Sequence, residues 1–475
     1  MDCRSRPGAP GATCSSFGVR LVALLLAALA ALAGDAAAAR ASPQIEDVAA
    51  AASVGSATVT WRTSVPTRGR VAYGVGGLYL YSARESTSAT THAVVLSDLS
   101  PATTYAFEIV AATATATGTL TTAAPPADLR FGVDGTHVTA NGSLFFPVLT
   151  YYQCGASAET AASLGVNLFV EAPYTGCVQT NPNVFEADPP PAGISVLGDD
   201  FGSSQGAAAG WYLPDEPDAS GLSPAQLPQL PAAAQTGRLR VLNLSQHFFS
   251  GQAPINAGFD RNDYKGFAAQ ADVVGFDMYP VVKFCGRVSL LDVFRAQREL
   301  ATIYAPGKPT FQWIETGAMT GECETMQVTP QIVNAETWLA IAGGACGIGY
   351  FTSSWTGALW NRWDLAPGVE AQLARTIAQV RALAPMLCGG PPGEVTVPWD
   401  GPVAATSRSW NGAVYVIAVN SSDRSISVPF RVDALAGRAL DVLGEGRTIA
   451  PAKQVYYRDS FAPYQVHVYL AAPQD

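Results

Sequence analysis

Two acidic residues stand between two prolines in the segment GWYLPDEPD, residues 210–218. The aromatic and apolar half of this segment is typical of a buried β-strand, and a proline stops such a strand because it cannot donate to the ladder. Asp215 and Glu216 are therefore expected at a strand end, where a carboxyl group can exchange a proton with a bound molecule. The alternative is an acidic turn, since Asp-Glu-Pro by itself is a weak motif.

Other apolar segments also end in residues that could do chemistry. PTFQWIETG, residues 309–317, ends in Glu315, and DVVGFDMYP, residues 272–280, ends in Asp277 and Tyr279. Three more carboxyl groups close two further segments, namely Glu171, Asp199 and Asp200. Ionised groups that lie close together are costly unless they are solvated or used, so their convergence on one face would favour a functional site.

Eight apolar segments of this kind alternate with helical patterns. They span residues 145–151, 166–174, 193–201, 210–218, 238–246, 272–280, 309–317 and 347–355. Apolar strands that alternate with helices are typical of a parallel sheet covered on both faces, and eight of them predict a closed (β/α)8 TIM barrel. An open doubly wound sheet is the alternative, but no glycine-rich phosphate turn follows the first strand.

Helix signals occur between the apolar segments. Thr329 followed by Pro330 is typical of an N-cap and the first helical position. Apolar residues from Leu373 to Val380 recur on one helical face, and Pro385 is expected to end that helix.

Patterns of short β-strands flank the barrel segment, residues 130–388. Strand-like runs separated by turns fill residues 42–124, and alternating β patterns return in residues 393–475. The run from Leu99 to Tyr105 before an alternating strand resembles the tyrosine-corner region of a fibronectin type III domain. The predicted fold is therefore a central TIM barrel flanked by two small all-β sandwich domains, of which the first is fibronectin type III-like.

The first residues have the pattern of an export signal. Arg4 and Arg6 precede an apolar run at residues 21–34, and an A-x-A sequence ends at Ala41. The run is shorter than the ~20 residues that a membrane-spanning helix needs. We predict a signal peptide over residues 1–41 and a secreted or extracytoplasmic protein with no stable membrane insertion after cleavage. An uncleaved anchor is the alternative.

Composition and charge restrict the possible partners. The net charge is −10, only 14% of residues are charged, and no basic block occurs, so neither nucleic acid nor an anionic membrane surface is expected as a partner. The four histidines are scattered and no C-x-x-C pair is present, so we expect neither a metal nor another cofactor. A neutral substrate fits this composition better.

Six cysteines follow the predicted signal peptide. An even number in an exported chain predicts disulfides. The order of the predicted strands favours three pairs, which are Cys154–Cys177 after strands one and two, Cys285–Cys323 after strands six and seven, and Cys346–Cys388 at the opposite face of the barrel.

An acid in a D-E-P context on strand four and a glutamate on strand seven resemble the clan A glycoside hydrolases, over about residues 131–387. The resemblance implies retaining hydrolysis of β-linked poly- or oligosaccharides, with Glu216 as acid/base and Glu315 as nucleophile about 5–5.5 Å apart. It also implies that Tyr279 hydrogen-bonds the nucleophile and that Trp355 forms the floor of the sugar site.

Asp215 departs from the family, which has an asparagine before the acid in contact with the sugar 2-hydroxyl. An ionised aspartate accepts a hydrogen bond from a hydroxyl but cannot donate one. We expect Asp215 to contact the substrate, and a helix N-cap is the alternative. The other residues predicted to bind the substrate, a neutral poly- or oligosaccharide, are Tyr279, Trp355, Asp277, Tyr151 and Glu171. For the aromatic residues core packing is the alternative.

Two other classes of function stay open. One is a non-catalytic carbohydrate-binding protein built on a degenerate barrel, and the other is surface adhesion through the flanking sandwich domains. An inverting mechanism is also open, because the sequence does not give the distance between the two carboxyl groups.

Overall fold

A computed structural model gives the fold of the 475-residue chain. It describes residues 43–473 apart from 54, 98, 100–102, 124–128, 171–189, 199–208, 229–236, 252–257, 318, 320–322, 324–326, 357–358, 391, 399–400 and 436, and it omits the side chains of 355–361.

Seven antiparallel strands form two sheets in the N-terminal part of the chain. They are β1 (Ile45–Ala52), β2 (Ala57–Thr67), β3 (Gly69–Gly74), β4 (Tyr81–Arg84), β5 (Ala89–Leu96), β6 (Thr104–Ala111) and β7 (Ala114–Thr121). One sheet has the order β1-β2-β5 and the other has the order β4-β3-β6-β7. Trp61 and Tyr105 are buried between them. Two facing antiparallel sheets agree with an all-β domain, and the fibronectin type III likeness stays a prediction.

A small antiparallel sheet leads into the barrel. It consists of β8 (Phe131–Asp134), β9 (His137–Ala140) and β10 (Ser143–Phe145). The Phe131 amide donates to the carbonyl of Gly237, two residues before a barrel strand begins, at 2.8 Å. The sheet therefore lies near the amino ends of the barrel strands, away from the predicted site.

The eight predicted strands pair in parallel and close into a barrel. They are β11 (Val148–Tyr151), β12 (Leu168–Val170), β13 (Ser195–Gly198), β14 (Gly210–Tyr212), β15 (Leu239–Leu244), β16 (Val273–Asp277), β17 (Thr310–Glu315) and β18 (Ile348–Phe351). β11 pairs with both β12 and β18, which closes the ring. The predicted TIM barrel is confirmed.

Two large aromatic rings fill the barrel interior, and each packs against a glycine on the adjacent strand. A Cβ atom on Gly275 would lie 2.2 Å from the ring of Phe311, and one on Gly349 would lie 2.5 Å from the ring of Trp313. Both distances are shorter than van der Waals contact. The two glycines therefore make room for the two rings, which point into the barrel core.

Five α-helices are described, and each follows a barrel strand along the chain. They are α1 (Ala156–Leu164), α2 (Arg261–Ala269), α3 (Leu291–Glu299), α4 (Pro330–Gly343) and α5 (Val369–Gly389). The predicted start of α4 is confirmed, since the Thr329 side chain accepts from the Ile332 amide at 3.3 Å. No helix in the described part of the chain is long and apolar enough to cross a membrane.

The prediction that Pro385 ends its helix is wrong. Pro385 lies inside α5, which continues to Gly389. A proline in a helix interior costs about 3 kcal/mol. The turn around it buries Leu383, Met386 and Leu387 almost completely. Each such side chain contributes about 1.5–3 kcal/mol on burial, so packing outweighs the lost hydrogen bond.

Two of the three predicted disulfides are confirmed. Cys285–Cys323 joins the segments after β16 and β17, and Cys346–Cys388 joins the start of β18 to the end of α5. The third predicted pair, Cys154–Cys177, lies outside the described residues because Cys177 is not among them.

The C-terminal strands form a six-stranded antiparallel sheet and a two-stranded sheet. After a hairpin of β19 (Ser354–Thr356) and β20 (Leu359–Asn361), these are β21 (Pro392–Gly393), β22 (Val403–Trp410), β23 (Ala413–Asn420), β24 (Ile426–Arg431), β25 (Leu440–Val442), β26 (Arg447–Ile449), β27 (Tyr456–Phe461) and β28 (Val466–Ala471). The large sheet has the order β21-β22-β23-β28-β25-β26, and β24 pairs with β27. The all-β character of this C-terminal part agrees with the prediction. The predicted bounds of the four segments stay predictions.

Candidate active site

Glu216 lies in the loop that follows β14, residues 213–221, which we call the β14 loop. Its backbone has a φ of 43°, in the left-handed region that costs a residue other than glycine about 1 kcal/mol or more. The Glu216 amide donates to the carbonyl of Asn243 on β15 at 3.1 Å, and its side chain is half-buried. Strain of this kind persists only where neighbouring contacts hold it, and it concentrates at functional sites.

Asp218 holds the β14 loop in place. Its side chain is fully buried and accepts from the Ser245 amide at 3.0 Å, from the Ser245 hydroxyl at 2.6 Å and from the Tyr264 hydroxyl at 3.2 Å. Burial raises the pKa of Asp218, and the hydrogen bonds from Ser245 and Tyr264 oppose this. Two residues beyond Glu216, the loop is thus tied to the residue that follows β15 and to α2.

Asp215 is oriented by three donors. Its Oδ1 accepts from Asn243 at 2.9 Å and from the Tyr212 hydroxyl at 3.0 Å, and its Oδ2 accepts from the Tyr151 hydroxyl at 3.2 Å. Burial raises its pKa, which the bond from Asn243 partly offsets and the charge of Glu216 increases further. Turns follow Asp215 at residues 217–221, so the alternative role as a helix N-cap is wrong.

Asp277 at the end of β16 comes within hydrogen-bonding reach of Glu216. Burial, the charge of Glu216 and the charge of Asp215 raise the pKa of Asp277 well above its usual range, and Lys283 opposes this. Its Oδ1 is buried and has no hydrogen-bond partner among the residues that the structure describes. The raised pKa favours the protonated form of Asp277 in the free protein.

Aromatic rings stand beside the three carboxyl groups. Tyr151 stacks on Trp313 with ring centroids 4.9 Å apart, and Phe351 contacts the Tyr151 ring edge at 5.6 Å. The ring centroids of Tyr279 and Phe351 are 5.7 Å apart. Burial raises the pKa of Tyr279, and the charge of Asp277 raises it further. The sequence prediction named Tyr151 and Tyr279 but missed the other two rings.

Asn243 is a further residue that the sequence prediction missed. Its Nδ2 binds Asp215, and its Oδ1 is buried without a partner among the described residues. It starts an N-x-S glycosylation sequon, yet its side chain is only 1% exposed. Its place near the end of predicted strand five was the signal that could have identified it.

Glu315 makes a different set of contacts. It is fully buried, and its two oxygens accept from the amides of Val281 and Val282 at 2.8 and 2.7 Å. Burial raises its pKa, and hydrogen bonds from Glu336 on α4 and from these amides oppose this. Within the described residues, none of the groups that act on this pKa belongs to the cluster around Glu216.

Two other predicted substrate-binding residues have no described side chain. Glu171 lies outside the described residues, as do Asp199 and Asp200. The backbone of Trp355 lies in β19, and its side chain is outside the description. The structure thus brings together Asp215, Glu216, Asp277, Tyr151 and Tyr279. Among the described residues, no group of three or more His, Cys, Asp and Glu side chains has the geometry of a metal site.

No protein-family model matches the chain, and no curated protein matches it in sequence. Among solved structures the chain is similar to an α-amylase from Geobacillus thermoleovorans complexed with acarbose, at 11% identity and a TM-score of 0.38 over 69% of this chain and 98% of that one. It is also similar to a GH30 endoxylanase from Clostridium papyrosolvens, at 11% identity and 0.38 over 68% and 95%. A β-glucuronidase from Faecalibacterium prausnitzii gives 13% identity and 0.32 over 72% and 66%. Scores this low carry no argument about function, and the barrel is established by its own strand pairing.

Proposed function

We propose that the chain is a secreted glycoside hydrolase that cleaves β-linked poly- or oligosaccharides with a retaining mechanism. The observation that supports this most directly is the cluster of Asp215, Glu216 and Asp277 at the carboxyl ends of barrel strands, where barrel enzymes carry their active sites. A strained backbone at Glu216 and a shifted pKa at Asp277 are both typical of catalytic sites.

The aromatic and polar groups around the cluster suit a neutral sugar. The rings of Tyr151 and Phe351 lie beside the carboxyl groups, where the C–H face of a pyranose ring would pack, and Trp313 supports Tyr151 from the barrel core. The oxygens of Asn243 and Asp277 that have no partner among the described residues can accept hydrogen bonds from sugar hydroxyls. A carbohydrate ligand would satisfy these buried acceptors, which are otherwise costly to leave unpaired.

The paired carboxyl groups supply what glycoside hydrolysis needs. One carboxyl group gives its proton to the glycosidic oxygen as the C–O bond breaks, and the other carboxylate forms an ester with the anomeric carbon that water later cleaves. We keep Glu216 as the acid/base, the role that its place on strand four implies, and propose Asp277 as the partner carboxylate. In the free protein the raised pKa places the proton on Asp277, so binding of the sugar must separate the two groups and leave that proton on Glu216.

Glu315 remains the alternative nucleophile. Glu315 is completely buried and accepts hydrogen bonds from two backbone amides, so we favour Asp277 as the nucleophile. The two disulfides fit an extracellular protein, and removal of a signal peptide at residues 1–41 remains part of the proposal.

Hydrolysis of a panel of glycans tests the proposal. We expect Glu216→Gln and Asp277→Asn each to lower kcat/KM by about 10³-fold, because each removes a proton-transfer or nucleophilic group. The matched control is Asp272→Asn, since Asp272 precedes the same strand at its amino end and pairs with Arg240 at 2.8 Å. The anomer released first, read by NMR, distinguishes retention from inversion.

A wild-type protein that binds glycans but hydrolyses none of them would support the non-catalytic binding protein instead. Full activity in both variants would place the catalytic carboxyl groups elsewhere and contradict the proposed site.

A further inference from the structure

Glu315 and Glu336 form a buried pair of carboxyl groups in the wall of the barrel. Glu336 lies on α4 and is only 1% exposed, and Glu315 at the end of β17 is fully buried. Burial, the charge of Glu315 and the hydrogen bond to it raise the pKa of Glu336 well above its usual range, whereas burial raises the pKa of Glu315 and the hydrogen bond from Glu336 opposes this. The proton therefore lies on Glu336, which donates to the Glu315 carboxylate.

The Glu315 carboxylate also binds the segment that follows β16, residues 278–286, which we call the β16 loop. The loop is a compact series of turns, in which the amides of Lys283 and Phe284 donate to the carbonyl of Tyr279. The amides of Val281 and Val282 at its start point instead to Glu315, at 2.8 and 2.7 Å. Buried amides must be paired, and a carboxylate that accepts from two of them fixes their position.

We propose that Glu315 and Glu336 are positioning residues that hold the β16 loop, and with it Asp277 and Tyr279, in place. Asp277 lies only four residues before the first amide that Glu315 binds. Glu336 makes the arrangement stable because its proton removes the second negative charge from a buried site. The effect on catalysis rests on the proposed function, whereas the hold on the loop does not.

The proposal gives Glu315 a role that a nucleophile does not have. Both of its oxygens are engaged with the protein in the free state, so neither is free to attack a sugar unless the loop moves. A nucleophile would instead need an oxygen that faces the substrate.

Amide hydrogen exchange tests the hold on the loop without any assay of activity. In Glu315→Gln the side chain keeps one carbonyl oxygen and turns an N–H towards the second amide. We expect exchange at Val281 or Val282 to rise at least about tenfold, the factor for one lost bond to a charged group. Exchange at the Val274 amide, which donates to Pro309 within the barrel, reports global opening. The control is Glu159→Gln, an exposed site on α1.

Two variants of Glu336 provide a second test. Glu336→Gln still donates an N–H to Glu315, so we expect wild-type exchange at Val281 and Val282, whereas Glu336→Leu should lose the protection. If Glu315→Gln also accelerates exchange at Val274, the comparison of the two Glu336 variants decides. Unchanged exchange at both valines in Glu315→Gln and Glu336→Leu would overturn the proposal.

Kinetics separate a positioning residue from a nucleophile. We expect Glu315→Ala to lower kcat by about 10–100-fold with little change in KM, and added azide not to restore it. Glu336→Gln should keep wild-type kcat. Restoration of Glu315→Ala activity by azide, with formation of a glycosyl azide, would show that Glu315 is the nucleophile and overturn the assignment. Absence of hydrolysis in the wild type would overturn the proposed function alone, since the exchange data still decide the role of Glu315 in the loop.

Discussion

The β14 loop and the β16 loop each carry a carboxyl group of the candidate site, and each is held by a second, buried acidic side chain. Asp218 holds the β14 loop through the neutral donors of Ser245 and Tyr264. Glu315 holds the β16 loop through two backbone amides and a protonated glutamate. The first anchor depends on hydroxyl and amide donors, and the second depends in addition on the proton of Glu336.

This difference separates two ways to keep a carboxylate in a protein interior. Hydroxyl and amide donors stabilise a buried carboxylate by hydrogen bonding alone. A neighbouring acid does so only while it stays protonated, so the β16 loop should respond to pH more strongly than the β14 loop.

Removal of the Asp218 carboxyl group should have the largest effect on stability. Asp218→Ala leaves the amide and hydroxyl of Ser245 and the hydroxyl of Tyr264 without this acceptor, in a buried place. We expect the free energy of unfolding to fall by about 3 kcal/mol, measured by urea denaturation. Asp260→Ala, which removes the exposed N-cap of α2, is the control and should cost about 1 kcal/mol. A smaller loss for Asp218 than for Asp260 would show that the β14 loop is not anchored there.

The pH dependence of stability should distinguish the two anchors next. The folded-state pKa of Glu336 is raised well above its usual value by burial and by Glu315. Its contribution is fully present below the unfolded pKa of about 4.3 and is lost as pH rises through the folded pKa. Within the described residues Glu315 is the charged group that acts on Glu336.

Above about pH 4.3 the contribution of Glu336 to the free energy of unfolding should decrease with rising pH in the wild type, and this part of the decrease should be absent in Glu336→Gln. Asp218→Asn should flatten the curve less, because its hydrogen bonds offset part of the effect of burial on its pKa. The measurement is denaturant unfolding at several pH values. Equal slopes in the wild type and Glu336→Gln would contradict the proton-dependent anchor.

The smallest effect is expected for Tyr264→Phe. The variant removes one of the described donors to Asp218, at 3.2 Å, and leaves the aromatic ring in the core. The unfolding free energy should fall by about 1 kcal/mol, with kcat reduced less than in Asp218→Ala. Tyr304→Phe is the matched control, because the Tyr304 ring packs against Tyr264 but its hydroxyl binds Phe248 and Glu299 and not Asp218. A larger effect in Tyr304→Phe would show that Tyr264 contributes little to the loop.

The strands and the strand-end position of Glu216 could be predicted from the sequence because they depend on local patterns. Apolar runs mark strands that are buried on both faces, and Pro214 marks the end of β14. Because the carboxyl ends of all strands lie at one face of a barrel, the proximity of these residues could be predicted without further information. The pairing of Cys285 with Cys323 followed from the same strand order.

The partners of Glu315 could not be predicted in this way. Its contacts come from Val281, 34 residues earlier, and from Glu336, which looks like one of several polar residues in a largely apolar helix. The direction of a side chain at a strand end depends on such distant neighbours and not on local spacing. The prediction for Pro385 was wrong for a related reason, because tertiary packing outweighed the tendency of proline to end a helix.

The hydrophobic core runs from the N-terminal sheets through the barrel into the large C-terminal sheet. The Tyr81 hydroxyl donates to the carbonyl of Ala382 on α5, and the Tyr415 hydroxyl of the C-terminal sheet donates to the carbonyl of Leu80 at 2.5 Å. The N-terminal sheets, the barrel and the C-terminal sheet therefore share one core and hydrogen-bond to one another. Residues of all three parts pack into the shared core, so loss of either flank would expose apolar surface on the barrel.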